Sequence, residues 1–249
     1  HEARAYLRIG QSKGLSIGLL MVDLTEAFYR VLRPLAVGGQ YTDHQMAQIV
    51  AKLGMPPETL HELQEHLQQP CAIHQAQLPG HLQRVLQSLH TDTFFQVHGQ
   101  EDCCHTSVGS RPGDCFADVI FSYLFARVMK CFQQRMQQLG LQEYVHEVNK
   151  LDPYDGGGTE ATSRPYTGPI WMDDLCVGIS AETPSALVQK AGVTTSLLLE
   201  TLVGFGMTPN LKKGKTELLL SLRGKGVRKV KQSLFGPTSA GTIPIVCEA

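Results

Sequence analysis

The clearest hydrophobic pattern in this chain is Ser16-Ile17-Gly18-Leu19-Leu20-Met21-Val22, an unbroken apolar run of strand length that ends in Asp23. Runs of this kind form central strands buried on both faces. From Leu24 to Arg30 the pattern turns helical and returns an aromatic, Phe28, five positions after Asp23. Three helical stretches follow. Thr42-Asp43 caps a run through Met46, Ile49, Val50 and Leu53; Pro56-Pro57-Glu58 opens one with Leu60, Leu63 and Leu67 in phase; Pro79-Gly80 opens one through Leu82, Val85, Leu86 and Leu89. Thr93 to Val97 is strand-like, and a long helix is expected from Phe116 to Leu139. Leu151 to Gly168, centred on Asp155-Gly156-Gly157-Gly158, reads as a loop. Leu187 to Leu202 reads as a helix and Gly204 to Pro209 as a turn, with closing strands expected at Glu217 to Leu220 and Lys229 to Phe235. The pattern is that of an α+β fold, an antiparallel sheet backed by long helices.

Composition adds little to this picture: 249 residues, 42% hydrophobic and 18% charged, are enough for a sizeable core, and the net charge of −1 does not advertise a nucleic-acid binder. Charge distribution says more. Lys212, Lys213, Lys215, Arg223, Lys225, Arg228, Lys229 and Lys231 crowd a C-terminal stretch whose only acid is Glu217. Such a run either neutralises phosphates or forms a solvated face, and composition alone favours the second. The seven cysteines show no Cys-x-x-Cys spacing, and Cys103-Cys104-His105 matches no zinc pattern. No apolar run before Asp23 is long enough to span a bilayer, and no secretory cleavage signal is present. A soluble, intracellular protein without a membrane partner is the expectation.

Two placements of acid change the picture. Trp171-Met172-Asp173-Asp174 precedes the apolar run Leu175-Cys176-Val177-Gly178-Ile179. Like charges about 4 Å apart repel by roughly 4 kcal/mol at an effective dielectric near 20, which a cation bound by hard oxygen ligands relieves. Adjacent strand residues point to opposite faces, so both acids serve one site only from a tight turn; strand, Asp-Asp turn, strand is the expectation. A solvated hairpin tip is the other reading. Asp23, at the end of a buried strand, is either a third carboxylate of such a site or a helix N-cap.

Four segments carry a family resemblance. Val22-Asp23-Leu24-Thr25-Glu26-Ala27-Phe28 resembles motif A of reverse transcriptases. The stretch from Gly109 through Ser110, Arg111, Pro112 and Gly113 to Phe121 resembles motif B of the non-long-terminal-repeat (LINE-like) branch. Trp171-Met172-Asp173-Asp174 resembles motif C, and Gly206-Met207-Thr208-Pro209-Asn210 with Lys215-Thr216-Glu217 resembles motif D. All four stand in the family's order, from about Ser16 to Leu220. Pro112 stands where the family usually carries Gln and offers neither a side-chain amide nor a backbone N–H. Trp171 replaces the usual Phe or Tyr, and Lys215 lies farther from Asn210 than the family spacing, so Lys212 and Lys213 are alternatives for its role.

The resemblance implies a polymerase palm-type sheet with partial fingers, 1–249 forming a single partial reverse transcriptase domain. A chain opening with His1 reads as a fragment, with upstream fingers and thumb expected to be missing and extension by this chain alone expected to be weak. The implied activity is RNA-directed DNA synthesis, with RNA template, DNA primer and dNTP as partners and two Mg²⁺ ions, or Mn²⁺, as cofactor. Asp23, Asp173 and Asp174 would be metal ligands, and Lys215 would meet the departing pyrophosphate or else be a solvated lysine. Phe28 would exclude the ribose 2′-hydroxyl or simply pack in the core. Arg111, Pro112, Gly113, Trp171 and Met172 would shape the nucleotide and template site, Arg111 being equally readable as a loop-surface charge. Two rival readings remain: an RNA-templated RNA polymerase, against which Phe28 argues, and a catalytically dead relic that only binds nucleic acid.

Overall fold

A computed structural model of the chain describes residues 1–53, 57–99, 101–110, 116–148, 161–236, 241–243 and 245. In chain order the elements are α1 (Glu2–Ser12), β1 (Ser16–Val22), a 3-10 turn (Ala27–Arg30), α2 (Arg33–Val37), α3 (Asp43–Leu53), α4 (Pro57–Gln68), α5 (Ala72–Gln75) and α6 (Gly80–His90). They continue with β2 (Thr93–Gln96), β3 (Cys103–Thr106), α7 (Ala117–Gln138), β4 (Glu143–Val148), β5 (Ala161–Tyr166) and β6 (Ile170–Trp171). The last are β7 (Asp174–Ala181), α8 (Pro184–Gly204), β8 (Glu217–Ser221) and α9 (Val227–Phe235). Helices and antiparallel strands are mixed, in line with the α+β expectation. Among the described residues no helix is long and apolar enough to cross a membrane.

The chain forms two compact units. The first comprises His1–Val22, Gln133–Ser196 and Lys213–Val246. Its four-stranded antiparallel sheet has the order β6-β7-β1-β8. β1 pairs with β7 from Ser16↔Ala181 to Val22↔Leu175, and with β8 from Ile17↔Ser221 to Met21↔Glu217. Cross-strand partners share a face, so Gly18, Leu20 and Val22 stand with Ile179, Val177 and Leu175. Leu187 of α8 covers this face: a Cβ on Gly18 would meet its Cδ1 at 3.6 Å. On the other face, α1 brings Tyr6 over Gly178, where Tyr6 and Tyr166 stack with ring centroids 5.0 Å apart. A Cβ on Gly178 would stand 2.8 Å from the Tyr6 ring, so only glycine admits this stack. Covered on both faces, β1 needs the unbroken apolar run that the sequence supplies.

The same unit holds a half-buried polar knot. Glu143 of β4 accepts the Ser180 N–H at 2.8 Å and its hydroxyl at 2.7 Å, and takes Lys190 Nζ of α8 at 2.6 Å. A carboxylate with this many donors is stable away from water.

The second unit contains Asp23–Phe132 and Leu197–Lys212. Its interior collects Leu32, Leu35, Leu63, Ile73, Leu86 and Phe121, all essentially fully buried. Thr42 caps α3 reciprocally with Gln45: the Thr42 N–H donates to Gln45 Oε1 at 2.9 Å and the Gln45 N–H to Thr42 Oγ1 at 3.3 Å. Arg127 reaches the Leu35 and His66 carbonyls and Gln69 Oε1, with its guanidinium 5.5 Å above the Phe205 ring.

Three expectations from the sequence change here, and a fourth, the helical pattern from Leu24, changes at the candidate site. Lys229 to Phe235 is helical, part of α9, because Val227, Val230 and Leu234 form one apolar stripe and the charges between them face water. Within the stretch read as a loop, Ala161–Tyr166 is β5, paired with β4 from Ala161↔Val148 to Tyr166↔Glu143; the centre of that stretch lies outside the described residues. The acidic hairpin turns one residue earlier than expected, as its geometry below explains.

Candidate active site

The segment that leaves β1 at Asp23 runs into a short ladder rather than a helix. The Asp23 carbonyl accepts the Asn210 N–H at 2.8 Å, and the Thr25 N–H donates to the Thr208 carbonyl at 2.8 Å. Leu24 and Pro209 form the bridge between them. Asn210 Nδ2 also donates to Asp23 Oδ2 at 2.8 Å. The half-buried Asp23 is therefore no helix cap; its orientation is set by an amide 187 positions away in the chain. The 3-10 turn begins only after Glu26, which sits at φ 52. Arg30 then closes the ladder, bonding Thr208 Oγ1 at 3.0 Å and Glu26 at 3.2 Å.

The first residues of the motif B segment meet the same turn. The Gly109 N–H donates to the Val31 carbonyl at 2.7 Å, and the Ser110 N–H to the Phe28 carbonyl at 2.7 Å. Gly109 has φ 86, and a Cβ there would lie 2.8 Å from the Tyr29 carbonyl oxygen, so the approach requires glycine. Phe28 is half-buried with its ring 4.7 Å from that of Phe121 on α7. Arg111, Pro112 and Gly113 lie outside the described residues.

The acidic hairpin belongs to the first unit. Ile170 pairs with Leu175 and Trp171 with Asp174, leaving Met172 and Asp173 as the two-residue turn. The turn therefore spans Met172-Asp173 rather than Asp173-Asp174, and Asp174 opens β7. Met172 takes φ 55, a conformation that two-residue hairpins demand at their first central position and that glycine normally supplies. A methionine held there is a local strain. Asp173 is half-buried, whereas Asp174 and Met172 are exposed. By the alternation of β7, Asp174 shares a face with Cys176, whose partner on β1 is Met21. This is the sheet face that α8 does not cover.

Lys215 is exposed on the turn that precedes β8, beside Gly214, whose N–H donates to Glu217 Oε1 at 3.0 Å. Lys212 and Lys213 are exposed as well. Asp23 falls in the second unit, and Asp173, Asp174 and Lys215 fall in the first. Among the described residues, no group of three or more His, Cys, Asp or Glu side chains stands ready to hold a metal ion. The donors that the resemblance nominates are carboxylates alone, the chemistry that suits Mg²⁺ or Mn²⁺ rather than a softer ion.

Sequence reasoning missed the ties around Asp23. In the sequence Asn210 stands only as part of motif D, and Glu26 and Arg30 carry no signal of their own. The signal available was Thr208-Pro209-Asn210 itself: proline favours an extended preceding residue, and the asparagine amide then lies free to bond a carboxylate. The chain matches no protein-family model and no curated protein sequence.

Proposed function

We propose that this chain is an RNA-directed DNA polymerase of a LINE-like retroelement, built on a palm-type sheet. It would transfer nucleotides from dNTPs to a primer 3′-hydroxyl on an RNA template. The observation that carries the reading is the bond between Asp23 and Asn210 at 2.8 Å, within a ladder that joins two segments 187 positions apart. Those are the segments that resemble motifs A and D. The motif B segment adds its bonds from Gly109 and Ser110 to the same turn. Support from motif C is the strained Met172 turn, which holds Asp173 and Asp174 at the start of β7.

In this reaction the 3′-hydroxyl oxygen forms a bond to the α-phosphorus and loses its proton, while the bond to pyrophosphate breaks. Asp23, Asp173 and Asp174 would hold two Mg²⁺ ions, which when bound activate the hydroxyl and stabilise the leaving oxygen. Asn210 fixes one oxygen of Asp23 and so limits its rotation. Lys215 would neutralise the departing pyrophosphate. Phe28, its ring braced by Phe121, would block a ribose 2′-hydroxyl.

The test is RNA-templated primer extension by the full chain. Extension that needs Mg²⁺ and disappears in Asp173→Asn supports the assignment. Template binding without extension in the parent makes the chain a nucleic-acid-binding module instead. In an active preparation, Phe28→Val should raise ribonucleotide incorporation; unchanged sugar discrimination removes the role given to Phe28.

A further inference from the structure

The second unit contains a cavity of about 230 Å³ beside the 3-10 turn. Leu32, Ile49 and Val108 line it from within, Leu32 and Ile49 being almost fully buried. Tyr29, Arg30 and Gln48 line it nearer the surface. Phe28 and Tyr29 are neighbours with opposite fates. Phe28 packs against Phe121, whereas Tyr29 is 63% exposed and lines the cavity.

Three features define the ligand. An aliphatic floor of Leu32, Ile49 and Val108 beneath a rim that holds an exposed aromatic and the polar Glu26, Gln45 and Ser107 favours a flat ring with a polar edge. Gln48, whose Nε2 meets His44 Nε2 at 2.9 Å, lines the cavity with an amide, a group that both donates and accepts, as the edge of a nucleobase does. Arg30, bonded to Thr208 and ion-paired with Glu26, which lines the cavity beside it, offers a guanidinium already matched by one carboxylate, so the ring rather than the phosphate carries recognition. The volume is below the roughly 300–1,000 Å³ of drug-sized clefts, so one ring system enters and the sugar and phosphate stay outside.

We propose that this cavity receives an unstacked base of a single-stranded RNA, with Tyr29 as its stacking platform. The proposal rests on the nucleic-acid reading above, but it invokes neither the acidic residues nor catalysis. Bases extruded from a strand are read by aromatic stacking and edge contacts in this way.

The experiment uses the full chain in EDTA without dNTP, so that polymerisation plays no part. The probe is a short fluorescein-labelled single-stranded RNA of mixed sequence containing 4-thiouridine, followed by fluorescence anisotropy and by photocrosslinking with peptide mapping. Tyr29→Ala should weaken binding about tenfold, and Tyr29→Phe, which keeps the ring face, should recover most of that loss. The crosslink should fall on the peptide that contains Tyr29. Because the ring is largely exposed, Tyr29→Ala should keep the parent's circular dichroism and melting curve. Four results would overturn the proposal: no RNA binding, equal affinity for parent and Tyr29→Ala, a crosslink elsewhere, or displacement of the RNA by free nucleoside triphosphates. Tyr29-dependent binding without primer extension keeps the cavity's role and removes the polymerase. Extension by the parent, combined with full-strength binding by Tyr29→Ala, does the reverse.

Discussion

Two hairpins of this protein show how differently the same local structure can be held. β6–β7 belongs to a four-stranded sheet whose strand β7 buries Leu175, Val177 and Ile179. Among the described residues β2–β3 pairs only with itself, and it leaves Phe94 63% and Phe95 48% exposed. Two strands alone are marginal in water. β2–β3 persists because Arg33 donates to Thr93 Oγ1, to both the carbonyl and the hydroxyl of Thr106, and to the carbonyls of His90, Val108 and Gly109. One hairpin is fixed by apolar burial and can spend its turn on strain and charge. The other is fixed by one cation and the Thr93–Thr106 pairing, and carries no such load.

The sharpest way to break this contrast is Arg33→Met. It strips the carbonyls around β2–β3 of their donor and should destabilise the protein by about 3 kcal/mol. In urea unfolding monitored with hydrogen exchange, the β2 and β3 amides should lose protection first, while those of β7 keep theirs. Equal loss in both hairpins would show that Arg33 is not a local clamp. Arg33→Lys should recover little, because a lysine cannot supply the guanidinium fork.

Met172→Gly acts on the other hairpin and in the opposite direction. Glycine takes φ 55 without penalty, so the variant should gain up to about 1 kcal/mol in stability. The proposed site predicts that this gain accompanies weaker metal binding, since the turn that aims Asp173 becomes freer. A stabilised variant with unchanged metal affinity would make the strain incidental.

The smallest effect concerns pH. Burial pushes the Tyr166 phenol up to about 12 and holds Tyr6 still higher above its ordinary range. With folded values above the unfolded value near 10, the two phenols contribute stability that is complete below pH 10 and is lost as pH rises through 12. Thermal melting between those limits should show a decline that Tyr166→Phe flattens. A decline of the same size in that variant would place the alkaline sensitivity elsewhere.

What the sequence made legible follows from where burial lies. β1 and β7 read correctly because both faces of the one and the α8-facing side of the other are apolar. The long helices α7 and α8 announce themselves by length. β3 was invisible, because Cys103-Cys104-His105-Thr106 is largely exposed and its strand state comes from Arg33 and from the Thr93–Thr106 pairing. β5 was hidden for a related reason: Ala161-Thr162-Ser163-Arg164-Pro165-Tyr166 has no apolar alternation and owes its conformation to β4. The α9 stretch from Lys229 to Phe235 reads as a strand, although Val230 and Leu234 stand four apart, at helical spacing. At the candidate site the acids were legible as types, and the hairpin as a hairpin. The one-residue shift of the turn was not, because nothing in Met172 advertises a positive φ. Nor was the amide of Asn210 on Asp23, a contact made by tertiary structure alone.

The central claim is that Asp23 and Asp173 serve one divalent-metal centre. Titrating the full chain with Mn²⁺, followed by electron paramagnetic resonance and with Mg²⁺ as competitor, tests it most directly. Asp23→Asn and Asp173→Asn should each weaken Mn²⁺ binding by roughly tenfold or more, because each removes a charged oxygen ligand. An Asp23→Asn protein that titrates like the parent while Asp173→Asn does not would contradict a shared centre.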